Sequence, residues 1–300
     1  MSSTRINARP ASRWMGLLGA ALVVAPAVAR AQPLDLFYER TVMKAADSRC
    51  DLFSADIGQA LAAAAAQARG AALRAGASPG SVDSIDRAAR LKAAETDCRS
   101  PDMITAAQRV KQAFAGFSRL GRLTYPGDVA AWQADRLDGP GSPWRLKQDA
   151  VFGADRMSFG LVGHGGVDAL VAVASFADGE SPYSARLVLR DTTRSFGPYL
   201  ERSSAGPTAG LPLAKRMPPA GALTWYMAEA RSRAGGELLP RGETGWGFRF
   251  PPAAMRALAA LDPREAVAVE FLFPGDRVRR AYVEVGDFTA GEAFVQMASR

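Results

Sequence analysis

Hydrolytic chemistry built on a triad needs an imidazole. The chain has one histidine, His164, in the string Gly163-His164-Gly165-Gly166, with Asp168 four residues on. An imidazole titrates near neutral pH and can relay a proton, provided a serine or cysteine lies within hydrogen-bonding reach. The Gly-x-Ser-x-Gly string Gly76-Ala77-Ser78-Pro79-Gly80 falls at a helix end, not on a strand-to-helix elbow, so it is a chance match. The surrounding glycines account for His164 as a solvated turn residue. The acids a sheet could pair for glycoside hydrolysis are Asp191, Glu229, Glu270 and Glu284. A zinc site draws on clustered Cys and His, and a calcium loop on an Asp-x-Asp-x-Asp-Gly string; the sequence has neither. It also lacks the Gly-x-x-x-x-Gly-Lys-Ser/Thr phosphate loop and a dinucleotide fingerprint. No catalytic residue, metal ligand or cofactor is assigned.

Two cysteines, Cys50 and Cys98, lie 48 positions apart without Cys-x-x-Cys spacing, which predicts a structural disulfide rather than a redox pair. On the chain-entropy model, closing a loop of that length stabilises by roughly 4 kcal/mol.

Arginine supplies the remaining chemistry. Arg186 and Arg190 share one probable strand with Asp191, and Arg277, Arg279 and Arg280 begin another. With His164 they form a candidate surface for an anionic envelope polymer or lipid. The structural alternative is that strand-edge charges discourage edge-to-edge pairing.

Export is read from the order of three pieces at the N-terminus. Arg5, Arg9 and Arg13 precede an apolar run from Leu17 to Ala29, and Ala29-Arg30-Ala31 offers a small-residue cleavage site before Gln32. The run holds Pro26 and is about 13 residues long, whereas a membrane-crossing helix needs roughly 20. The expectation is a signal peptide over 1–31, no membrane span after cleavage, and a periplasmic or secreted bacterial protein. Cleavage removes four arginines, leaving 33 basic against 30 acidic residues and lowering the net charge from +7 to +3. That is an ordinary mixed surface, so nucleic acid is not expected as a partner.

The elements that would position these residues fall into two halves. The first reads as four helices. Leu34, Tyr38, Val42 and Ala45 mark one that ends near Cys50. Ser54 caps a second, which runs through Ile57, Leu61, Ala64, Ala65, Ala68 and Ala72 to a stop at Gly76. Val82, Ile85 and Ala89 mark a third. Ser100, Pro101 and Asp102 open a fourth, carrying Ile104, Ala107, Val110, Phe114 and Phe117. The alanine stripe is read as a seam within the bundle rather than a partner surface. Pro126, Gly127, Gly139, Pro140, Gly141 and Pro143 mark 125–143 as a linker, with Trp132 and Trp144 docking it onto a core.

Beyond the linker the period falls to two, predicting strands over 145–150, 157–162, 168–176, 185–192 and 222–230. Met255, Leu258 and Leu261 give a short helix, and Pro274-Gly275-Asp276 turns a final hairpin. The fold class is α+β: an N-terminal helical bundle (32–124), the linker (125–143), then an antiparallel β-rich domain (144–300) with a short helix before the last hairpin.

The closing order of short helix, hairpin and Gly286-Asp287-Phe288-Thr289-Ala290 loosely resembles the C-terminal part of the invasion-associated locus B family of exported bacterial proteins. The resemblance covers residues 250–296. This chain lacks the cysteines that mark that family's domain, and its helical half has no counterpart there. The resemblance implies an exported β-rich module and carries over no reaction. The function expected is therefore a non-catalytic interaction or accessory protein of the cell envelope, its partner an unidentified envelope protein or anionic polymer. The alternatives are an envelope hydrolase using His164 or sheet carboxylates, and a small-ligand carrier.

Overall fold

Proline and serine set where the helices begin. Pro33 and Pro79 occupy the first turns of α1 (Pro33–Cys50) and α3 (Pro79–Glu95), where a missing N–H costs nothing. Ser78 Oγ accepts a hydrogen bond from the Ser81 amide at 3.0 Å, and Ser100 Oγ accepts from Met103 at 3.3 Å to start α4 (Pro101–Phe117). Ser54 precedes α2 (Ala55–Arg74) as expected, but its hydroxyl donates to the Asp56 carboxylate instead of accepting from a backbone amide. The computed structural model describes residues 32–117, 119–137, 143–164, 167–195, 197–200, 210–240 and 243–297. The expected signal peptide, 1–31, lies outside the described residues.

The disulfide forms between Cys50, the last residue of α1, and Cys98, which precedes α4. The alanine stripe of α2 is a seam within the molecule. Leu61 packs with α1 and α4, Ala68 and Ala72 with Phe37 and Val82, and Ala60 and Ala63 reach the core of the β-rich half. Gly70 allows the closest approach: a Cβ there would come within 2.4 Å of Asp287 Oδ1, the carboxylate that Arg74 holds at 2.6 Å.

Two antiparallel sheets follow. One has the order β1 (Arg122–Tyr125), β2 (Trp132–Asp135), β3 (Trp144–Phe152), β4 (Asp155–His164), β5 (Val167–Ser175), β9 (Trp246–Arg249), β8 (Ala230–Arg233). The other runs β11 (Arg277–Glu284), β10 (Ala266–Phe273), β6 (Ser184–Arg190), β7 (Leu223–Met227). Alternation dictates which residues meet: Val267, Val269, Phe271 and Phe273 of β10 face inward with Phe159, Phe248 and Leu170 of the larger sheet. Phe152 stacks on Phe271 with centroids 5.7 Å apart, joining the two sheets. The short helix α5 (Pro252–Ala259) adds Ala254 and Leu258 to this core, and α6 (Phe288–Val295) adds Phe288 and Phe294. The fold is thus α+β, with four N-terminal helices and a helix before the closing hairpin.

Two expectations change. Residues 125–143, read as a linker, carry β2, and Trp132 is fully buried, so Gln32–Arg300 forms one compact unit. The cause is Glu284, whose carboxylate accepts from the amides of Asp128, Val129 and Ala130 at 2.8, 2.8 and 2.9 Å and so fastens this turn to β11. Trp132 Nε1 adds a bond to the Val285 carbonyl at 3.0 Å. Next, the single strand expected over 222–230 is two segments on different sheets. The chain crosses at Ala228, whose amide still bonds Ala185, and Glu229, whose amide bonds Arg249. Gly286-Asp287-Phe288 leads into helix α6, whose Phe288 and Phe294 pack against Trp132 and Tyr125.

Candidate functional site

The residues singled out in the sequence do not converge. His164 is the last residue of β4, paired in register with Val167, and Gly165 and Gly166 lie outside the described residues. Ser78 is the cap of α3. Cys50 and Cys98 are bonded to each other. Among the described residues no group of three or more His, Cys, Asp or Glu side chains is placed to hold a metal ion.

The strand arginines are occupied. Arg186 and Arg280 flank Glu270 from the two neighbouring strands, with Nε–O distances of 2.6 and 2.7 Å. Burial alone would raise the Glu270 carboxyl, but the hydrogen bonds from Arg186 and Arg280 outweigh it and hold the group below its ordinary range. Arg190 lies buried in a bidentate pair with Glu265, at 2.7 and 2.8 Å. Arg277 reaches Glu180 at 2.9 Å, and Arg279 binds Asp155 at 3.0 Å together with Asp178. The Asp178 hydrogen bond is the main reason the Arg279 guanidinium sits above its ordinary pKa. These side chains knit strands together and leave little charge for an anionic polymer. Three of the four candidate catalytic acids are likewise engaged: Glu270 by arginines, Glu284 by three amides, and Asp191 by the Thr193 amide and hydroxyl at 2.9 and 2.6 Å, while Glu229 lines a separate small pocket.

A different region is open. α1 and α4 form the walls of a groove of about 720 Å³, floored by Leu61 and Ala64 of α2. The walls are tied at the disulfide end, where Met43, Ala46, Met103 and Ala107 share one buried cluster. Along the groove Val42, Val110, Ala113, Phe114 and Phe117 present apolar surface, and Phe114 and Phe117 meet edge to face at 5.9 Å. Arg40, Lys92 and Arg109 also line it. Lys92 and Arg109 are exposed, whereas Arg40 is half-buried and donates from Nη1 to the carbonyl of Ala64 at 2.8 Å. Among the described residues no carboxylate forms an ion pair with any of the three. Burial lowers the Arg40 pKa from its ordinary value, an effect that neighbouring Glu39 only partly offsets.

Sequence reading missed this groove. The available signal was that α4 carries apolar residues at Ala106, Val110, Ala113, Phe114 and Phe117, a band wider than one buried stripe, with Arg109 set within it. A second, smaller pocket of about 230 Å³ is lined by Asp168, Glu229, Arg249 and Met255. Near Asp168, burial first and that residue's negative charge second raise the Glu292 carboxyl above its ordinary range.

No protein-family model, no curated protein and no solved structure matches this chain.

Proposed function

We propose that the protein is an exported, non-catalytic binding protein of the bacterial cell envelope, working in the periplasm or outside the cell, with the groove between α1 and α4 as its binding surface. The observation that carries this reading is a contrast in occupancy: Arg186, Arg190, Arg277, Arg279 and Arg280 are paired with acids, while the groove has an apolar floor and, among the described residues, three cations in no ion pair with a carboxylate. A disulfide and the lack, among the described residues, of a helix long and apolar enough to cross a membrane are compatible with it. So is the resemblance of residues 250–296 to an exported family.

The test is hydrogen exchange of the purified chain with and without a detergent-free envelope extract. Slower exchange confined to α1 and α4 is expected. Exchange unchanged along the whole chain overturns the reading.

A hydrolase is the second reading, and the observation that bears on it is that burial first and the charge of Asp168 second raise the Glu292 carboxyl. Turnover of an envelope polymer that survives purification and is lost in Glu292→Gln would establish it and displace the first.

A further inference from the structure

The groove has the chemistry of a lipid tail site with a cationic anchor. Its floor and walls are Leu61, Ala64, Val110, Phe114 and Phe117, so an occupant gains by burying hydrocarbon against them. From Ala106 to Phe117 the wall of α4 extends about 16 Å at 1.5 Å per residue. The volume of about 720 Å³ falls within the roughly 300–1,000 Å³ typical of small-ligand pockets. The charged side chains of the lining are mostly positive: Arg40, Lys92 and Arg109 against the single acid Glu39.

Arg40 is the distinctive member. Its guanidinium is half-buried, and one N–H is spent on a neutral carbonyl, leaving further donors of its planar fork for a ligand. A half-buried cation in no ion pair is costly, and an incoming anion relieves that cost while forming charge-assisted hydrogen bonds. Each strand arginine discussed above already has such a partner. Arg40 lacks one in the described molecule, and it sits where a ligand would lie.

Building on the binding reading above, we infer that the groove takes a single-chain anionic amphiphile, with its carboxylate or phosphate on Arg40 and its hydrocarbon chain along Leu61, Val110 and Phe114. Lys92 and Arg109, exposed at the groove, draw the head group in and make binding salt-dependent.

Titration calorimetry of the purified chain against four probes of one chain length tests this: dodecanoate, dodecyl phosphate, dodecanol and dodecyltrimethylammonium, each below its aggregation threshold. Both anions are expected to bind, the alcohol at least about tenfold more weakly, and the cation not at all. Comparing the two anions separates a fatty-acid source from a phospholipid-derived one. Arg40→Gln should bring the anions down to the level of the alcohol. Ala113→Trp, which fills the groove from an exposed position, should weaken every probe without touching Arg40. Equal affinity for alcohol and anions, or an anion preference that survives Arg40→Gln, overturns the anionic class while the groove remains a binding surface. If no probe binds, yet envelope extract still slows exchange in α1 and α4, the ligand class is wrong and the binding reading stands. If neither occurs, both are wrong.

Discussion

The arginines of the sandwich and those of the helical groove share a side chain and differ in their surroundings. On the sandwich, Arg186 and Arg280 clasp one glutamate from both sides, and Arg190 is buried in a bidentate pair. Across-strand register makes this possible, because Glu270 stands directly opposite both Arg186 and Arg280. In the groove, a helical wall offers no such register. Arg40 turns to a backbone carbonyl, while Arg109 and Lys92 face solvent. Positive charge therefore marks fold maintenance in one region and a place for a ligand in the other, and composition alone cannot tell them apart.

The largest expected effect breaks the paired side. Glu284→Ala leaves three part-buried backbone amides without their acceptor and removes a carboxylate 3.6 Å from the fully buried Arg216. A loss of about 3–5 kcal/mol in urea unfolding is expected. A loss below about 1 kcal/mol would show that the turn at Asp128 does not depend on β11.

A smaller effect concerns acid. Glu270 has a folded pKa below its unfolded value, so its stabilisation is present in full above the ordinary glutamate value of about 4.3 and disappears as pH falls through the folded value. Urea midpoints measured from about pH 6 to about pH 3 should fall less steeply for Glu270→Gln than for the parent chain. Parallel curves would mean that the two arginines do not act through this carboxylate.

The smallest expected effect sharpens the contrast from the groove side. Arg109→Gln should leave stability within about 0.5 kcal/mol of the parent, because the side chain is exposed and forms no ion pair. Its signature should be a weaker salt dependence of dodecanoate binding. A clear loss of stability would place Arg109 with the structural arginines.

How much of this was legible in the sequence follows from the range of each interaction. The four N-terminal helices, the helix at Met255 and the hairpin at Gly275 rest on local period, caps or turn residues, which are written in consecutive residues, and the Cys50–Cys98 bond was legible because the chain has two cysteines to pair. The segment at 125–135 was opaque because its proline and glycine content signals a linker, while the acceptor that orders it, Glu284, is more than 150 residues away. The split near Ala228 was opaque because alternation continues through a strand that changes sheets. For the site, sequence found the arginines but not their partners, since pairing is a matter of register. The groove was invisible for a related reason: its depth comes from small side chains on a third helix, and Ala64 on α2 leaves unfilled the space that a larger residue would take.

The Cys50–Cys98 bond has a consequence for the order of events in the life of the chain. It joins the end of one groove wall to the start of the other, α1 to α4, so the spacing of the walls is acquired together with the oxidised bond. Apart from this bond, the same helices are connected through α2, α3 and their packing. On the proposed binding role, the bond would hold the two groove walls together at one end.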